Sequence, residues 1–229
     1  MKHPIFNIKN LKYDRNGKRV LDIKKLEIHR GSCYVIYGDV GSGKSTFLNV
    51  LSKRQSVLSD TVLYEQEDIN KISSAKYSQD ICYVSQSITV PWFKVRVEDY
   101  MYKKIKSYKH LSNPKKKLNE VIHKMKLKNY LDLDFRNLSD GEQRWIQLAL
   151  SIACDSKILF IDGFGQYLGS EKMSILSGIL YKKINYDGVT VIVCTHIRER
   201  LSKIASVFIR LDQGKIVSVR SHKKKTYKK

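Results

Sequence analysis

Residues 6–26 alternate apolar and polar side chains, interrupted by Asp14-Arg15-Asn16-Gly17. Period-two alternation marks a half-buried strand, and Asn-Gly between two such runs marks a tight hairpin turn. Shorter unbroken apolar runs follow at 33–37, 81–84, 158–161 and 189–194, the pattern of buried strands. Helical spacing appears at 46–51, at 97–130 with a break at Ser112-Asn113-Pro114, at 145–153 and at 173–184. A last strand pair is predicted at 207–211 and 215–219, around Asp212-Gln213-Gly214. Strands alternating with helices predict an α/β domain on a mostly parallel sheet, and the helical middle reads as an insertion into it.

Composition adds three bounds. The 229 residues fit one domain, or one domain with a subdomain, and 42% apolar residues supply a sizeable core, which excludes wholesale disorder. The longest apolar runs fall far short of the about 18 residues that a membrane span needs. Met1, Lys2, His3 and Pro4 carry no apolar core of a secretory signal, so the expected location is the cytosol. Cys33, Cys82, Cys154 and Cys194 show no metal-ligand spacing and are expected to be buried free thiols.

The formal net charge of +21 is unevenly placed. Residues 103–128 hold ten lysines and one acid, Glu120, and residues 220–229 add six more cations. Either stretch suits an anionic surface, such as the inner leaflet of a membrane. A lysine-rich composition on solvated faces accounts for the same charge. Nucleic acid is not an expected partner, because no zinc finger or RNP-type motif is present. Residues 221–229 are expected to form a basic, disordered tail.

Gly38-Asp39-Val40-Gly41-Ser42-Gly43-Lys44-Ser45-Thr46 follows a predicted strand and opens a predicted helix. That is the pattern and context of a P-loop. Its backbone N–H groups and the helix N-terminus suit phosphates, with Lys44 reaching the β/γ-phosphates and Ser45 holding Mg²⁺. The run 158–161 ends in Asp162, whose carboxylate emerges beside the P-loop in such sheets and would orient Mg²⁺. Leu138-Ser139-Asp140-Gly141-Glu142-Gln143 precedes a helix, with Ser139 and Glu142 spaced as a capping box.

At these residues the sequence resembles the ABC-transporter ATPase family. Residues 138–143 look like that family's signature, with Asp140 where glycine is common. The resemblance covers nearly the whole chain. It implies that Tyr13 stacks on adenine. Gln86 stands as the Q-loop glutamine that senses Mg²⁺ and the membrane partner, and His196 as the switch histidine on the γ-phosphate. It also implies a P-loop NTPase fold with an ABC-type antiparallel β-subdomain and an inserted helical subdomain at about 87–155, within one domain of residues 1–220. The cofactors implied are ATP and Mg²⁺. Two cassettes would sandwich two ATP molecules head to tail. Each nucleotide then lies between Lys44 and its P-loop in one chain and the signature residues Ser139, Asp140, Gly141 and Glu142 of the other. Closure would move an integral-membrane permease, placing the chain peripherally on the inner face of the cell membrane.

The sequence departs from the family at three places. Gly163 stands where glutamate usually polarises the attacking water, and Gly169 stands at the usual D-loop aspartate. Loss of a general base typically costs about 10²–10⁴-fold in rate, leaving Lys44, Mg²⁺ and His196. Trp145 replaces a common arginine in the signature helix, and simple packing accounts for it. Three readings follow: a subunit paired with a different, fully equipped ATPase, a homodimer with slow hydrolysis, or a non-transport ATP-binding switch.

Overall fold

Successive residues of the run at 33–37 enter two different cores: Cys33 and Val35 one, Tyr34 and Ile36 the other. Side chains alternate across a strand, so an unbroken apolar run implies burial on both faces. The computed structural model describes residues 3–222. In chain order its elements begin with β1 (Phe6–Arg15), β2 (Lys18–Ile28), β3 (Cys33–Tyr37) and α1 (Lys44–Leu51). Next come β4 (Val62–Tyr64), β5 (Glu67–Asp68), α2 (Ser74–Asp80) and β6 (Ile81–Val84). The middle holds α3 (Val97–Lys106), α4 (Pro114–Lys124) and α5 (Asp140–Ala153). The chain continues with β7 (Ile158–Ile161), α6 (Ser170–Asn185), β8 (Thr190–Thr195), β9 (Val207–Asp212) and β10 (Lys215–Ser221).

Among the described residues the strands form two sheets. One has four strands in the order β2-β1-β4-β5, antiparallel throughout. The other has six, in the order β10-β9-β3-β8-β7-β6. Its strands β9, β3, β8, β7 and β6 are parallel, and β10 pairs antiparallel to β9. Ile158, Phe160, Ile192 and Cys194 join Tyr34 and Ile36 in a core shared with α1 and the four-stranded sheet. Leu159, Ile161, Val191 and Val193 pack the opposite face, with residues of α5 and α6. Each fully buried aliphatic side chain here contributes about 1.5–3 kcal/mol relative to exposure.

The long helical stretch expected over 97–130 is shorter and broken. Helix α3 stops at Lys106, and α4 starts at Pro114, behind an Asn113 side chain that accepts from the Lys116 N–H at 2.9 Å. It ends at Lys124, and Tyr130 lies in a separate 3₁₀ turn, Lys128–Tyr130. Lys126, with φ 54°, breaks the helix between them. Met101, Leu118, Val121, Phe135 and Trp145 bring α3, α4 and α5 together in one core. Helices α1, α5 and α6 begin earlier than their apolar spacing suggests, because their first turns are polar. Three elements between 52 and 80 carried no clear period: β4, β5 and α2.

Cys33, Cys154 and Cys194 are buried, as expected, whereas Cys82 is only half-buried, and none of the four forms a disulfide among the described residues. It lies on the edge strand β6, which has a neighbour on one side only. Ser221 ends β10, and the His222 N–H donates to the Ser206 carbonyl at 2.7 Å. The rest of the expected basic tail lies outside the described residues.

Candidate functional site

Because β3, β6, β7 and β8 are parallel, their C-terminal ends emerge along one edge of the sheet. Ligands in such sheets bind at that edge. Just beyond it lie the loop 38–43, Gln86, Asp162 and His196. A cavity of about 250 Å³ at this edge is lined by Val40, Gly41, Gly43, Lys44, Ser45, Thr46, Gln86, Asp162, Gly163 and His196, with Val20, Cys194 and Thr195.

The loop is held tightly. A Cβ at Gly38 would come 2.0 Å from the Leu211 carbonyl oxygen, so only glycine fits. The buried Lys44 ammonium donates to the carbonyls of Gly38 at 2.9 Å and Asp39 at 2.6 Å, and to Ser42 Oγ at 3.3 Å. Burial lowers its pKa, against the opposing pull of Cys194 and Asp162. Helix α1 starts behind Gly43 with no side-chain cap, leaving its first N–H groups without a side-chain acceptor.

Asp162 is buried at the end of β7, and its carboxylate accepts from the Tyr83 hydroxyl at 3.4 Å. Burial and that neighbouring carboxylate push the Tyr83 phenol up. Gln86 and His196 are exposed at the cavity wall. Thr195 Oγ1 accepts from the Ile197 N–H at 3.1 Å, fixing the turn that presents His196.

The other sequence-derived residues lie elsewhere. Tyr13 is not among the lining residues, and its hydroxyl donates to Gln55 Oε1 at 2.6 Å. Ser139, Asp140, Gly141 and Glu142 form the N-terminus of α5, also away from the lining. The capping box is formed: the Ser139 N–H donates to Glu142 Oε2 at 2.9 Å, and the Glu142 N–H to Ser139 Oγ at 3.4 Å. The Ser139 hydroxyl, donating to Glu142 Oε2 at 2.7 Å, and the Ser139 N–H together hold the Glu142 carboxyl below its ordinary pKa.

The ABC transporter family model matches residues 21–163, well over half of the chain. The chain belongs to the ABC transporter family. This ABC cassette is 26% identical over 230 aligned residues to the methionine import ATP-binding protein MetN of Haemophilus ducreyi, across 95% of the chain and 65% of MetN. It is 27% identical over 215 residues to the probable sulfate/thiosulfate import ATP-binding protein CysA of Chlorella vulgaris, across 93% of the chain and 90% of that protein. Of the MetN relatives from Haemophilus ducreyi and Chlamydia felis it spans 65% of the length.

Solved structures share the fold of this ABC cassette. An ATP-binding subunit of an ABC transporter aligns with a TM-score of 0.85 at 15% identity, over 95% of this chain and 90% of that one. A dimeric ATP-binding cassette in a post-hydrolysis state, bound to ADP and phosphate, aligns with a TM-score of 0.82 at 22% identity, over 95% and 99%.

Two residues of the ABC cassette escape a sequence reading. Arg144 is buried, and its guanidinium donates to the carbonyls of Ser85, Asp162 and Gly163. Desolvation lowers its pKa to about 10, so it stays charged at neutral pH. The signal was present, since Arg144, Leu148 and Ile152 share one helix face by their four-residue spacing. Gln166 is the second. A Cβ at Gly163 would lie 2.7 Å from Gln166 Oε1, so this side chain covers the Gly163 backbone. Trp145 is packed as expected, buried with its Nε1–H donating to the Met125 carbonyl at 3.0 Å.

Proposed function

We propose that this chain is the ATP-binding subunit of an ABC transporter. MgATP binds at the sheet-edge cavity, and two cassettes close head to tail over two nucleotides to drive a separate permease. One observation carries the nucleotide reading: Lys44 and Asp162 line one cavity at the mouth of an uncapped helix. The donors fit the group. The α1 N–H groups and the Lys44 ammonium suit a polyphosphate, and the Ser45 hydroxyl, Asp162 carboxylate and Gln86 carboxamide supply the hard oxygens that Mg²⁺ prefers.

Bound MgATP supplies the phosphoanhydride whose cleavage resets the dimer. Lys44 neutralises phosphate charge, and Asp162 with Ser45 holds the metal side. His196 donates toward the terminal phosphate, and Tyr13 stacks on the base. Ser139, Asp140, Gly141 and Glu142 complete the partner cassette's site with the N-terminus of α5. With Gly163 at the usual glutamate position, hydrolysis is slow. The partner cassette is a second copy or a different, fully equipped subunit.

No described helix is long and apolar enough to cross a membrane, so transport needs an integral-membrane permease. The import functions named for the MetN and CysA relatives support import as its direction. Exposed lysines at 103, 104, 106, 109, 115 and 116 favour an anionic inner leaflet.

The deciding experiment is calorimetric titration of the full chain with MgATP, beside Lys44→Ala. Wild type binds, and Lys44→Ala weakens binding by about 10- to 100-fold, the worth of a charge-assisted hydrogen bond. Equal binding by both proteins, or none by wild type, refutes the reading.

A further inference from the structure

Gly163 lines the cavity between Asp162 and His196, and its backbone has φ +68°. That left-handed conformation strains any side chain placed there. The space a side chain would enter is also taken. A Cβ at 163 would meet Gln166 Oε1 at 2.7 Å, Gln166 Cδ at 3.0 Å and Gln86 Cγ at 3.1 Å. The Gln166 N–H donates to the Gly163 carbonyl at 3.3 Å, which closes a tight turn and folds the carboxamide back over Gly163. Gln166 is half-buried, and its carboxamide has no hydrogen-bond partner among the described residues. Gln166 does not itself line the cavity, but it lies at the Gly163 Cβ position together with Gln86, and both Gly163 and Gln86 do line it. A carboxamide offers both donors and an acceptor, so an unpaired one behind that wall is equipped to hold a water.

We propose that Gln166 positions the attacking water in this cassette, from the space that a carboxylate on residue 163 would need. The inference rests on the nucleotide reading of the cavity. Glutamine orients water without serving as its base, a role known in other phosphoryl-transfer enzymes. The water oxygen bonds to the terminal phosphorus as the bridging P–O bond breaks, and ADP departs. The water's proton passes to an oxygen of the released phosphate, because a carboxamide accepts none at neutral pH. Two consequences separate this from a merely structural role. The rate lacks the acid limb that a carboxylate base imposes. Gly163→Glu alone does not restore fast hydrolysis, because residue 163 is left-handed and a side chain there is strained whatever the space around it.

The test uses the full chain with MgATP, read by steady-state hydrolysis, calorimetric affinity and thermal melting. Gln166→Ala is expected to lose about 10²-fold in kcat, with KM, MgATP affinity and melting temperature unchanged. Gln166→Glu is expected to retain turnover and gain an acid limb in its pH profile. Gly163→Glu is expected to melt lower than wild type and to show no gain in kcat. A Gln166→Ala kcat equal to wild type overturns the proposal. So does a fall in affinity that matches the fall in rate, or a wild-type rate at background despite bound MgATP. Absence of MgATP binding by wild type overturns the nucleotide reading itself, and is seen in the calorimetry before any rate is compared.

Discussion

The Arg144 guanidinium donates to the main-chain carbonyl of Asp162. The same group reaches the carbonyls of Ser85 and Gly163, the latter at 3.3 Å. One buried cation therefore ties the first turns of α5 to the ends of β6 and β7. It fixes the backbone on either side of the Asp162 carboxylate while leaving that carboxylate free to face the cavity. Arg144→Leu takes this donor from the Ser85 and Asp162 carbonyls, while the Gly163 carbonyl keeps the Gln166 N–H. The expected loss is about 3–5 kcal/mol of unfolding free energy, from hydrogen bonds to a charged group at about 1.5–3 kcal/mol each. Chemical denaturation measures it, and a loss under about 1 kcal/mol would mean that the carbonyls find other partners.

Trp145 makes a different prediction. Its indole is 1% exposed and its Nε1–H satisfies the Met125 carbonyl, which closes the end of α4. Trp145→Phe keeps most of the apolar contact but strands that carbonyl, at a cost of about 1–3 kcal/mol. Trp145→Arg costs more, since the ion enters an apolar core. Urea midpoints of the two variants order them, and an Arg variant as stable as the Phe variant would contradict this packing.

Acid should act through Asp155. Lys117 and Lys183 both pair with it, Lys183 at 2.7 Å, so it links α4 to α6 beyond the end of α5. Desolvation raises the carboxyl, and the bonds from both lysines outweigh it, leaving its folded pKa below the ordinary value. A depressed carboxyl stabilises the fold above its unfolded pKa of about 3.9, and that contribution fades as pH falls through the lower folded value. The carboxylate is 35% exposed, so the effect is about 1 kcal/mol after solvent screening. The stability gap between wild type and Asp155→Asn should be level from about pH 7 to 4, then close. A gap that persists unchanged at about pH 2 would rule the pair out as its source.

Thiol chemistry should single out Cys82. Cys194 is sealed in the core, and burial pushes its thiol up. Cys82 is half-buried on the edge strand, and the neighbouring Cys154 thiol holds its pKa down by hydrogen bonding. The thiolate is the reactive form. One equivalent of a disulfide reagent should add fast to the native protein, and Cys82→Ser should abolish that fast phase. Equal modification of all four thiols would contradict the burial pattern.

Much of the architecture was legible because the strands that matter most are the most apolar. The runs 33–37 and 158–161 lie buried on both faces and keep their predicted bounds as β3 and β7. The P-loop was legible because its chemistry demands residue types at fixed spacing, and Lys44, Asp162, Gln86 and His196 do line one cavity. Elements β4, β5 and α2 were not, being short and half-exposed, with their pattern set by neighbours rather than by period. Arg144 was hidden because arginine reads as solvated, and only the three carbonyls converging on it make burial affordable. Gln166 was hidden because its meaning depends on the backbone of Gly163, three residues back.

Strand β8 sits between β3 and β7, although it is the last of the three to be made. On the ribosome, residues 33–37 and 158–161 thus have no direct register with each other until residues 190–195 have emerged to bridge them. The loop carrying Lys44 and the strand end carrying Asp162 become a pair only once that strand has been made. A nascent chain therefore cannot join the two sides of the cavity before β8 lies between them.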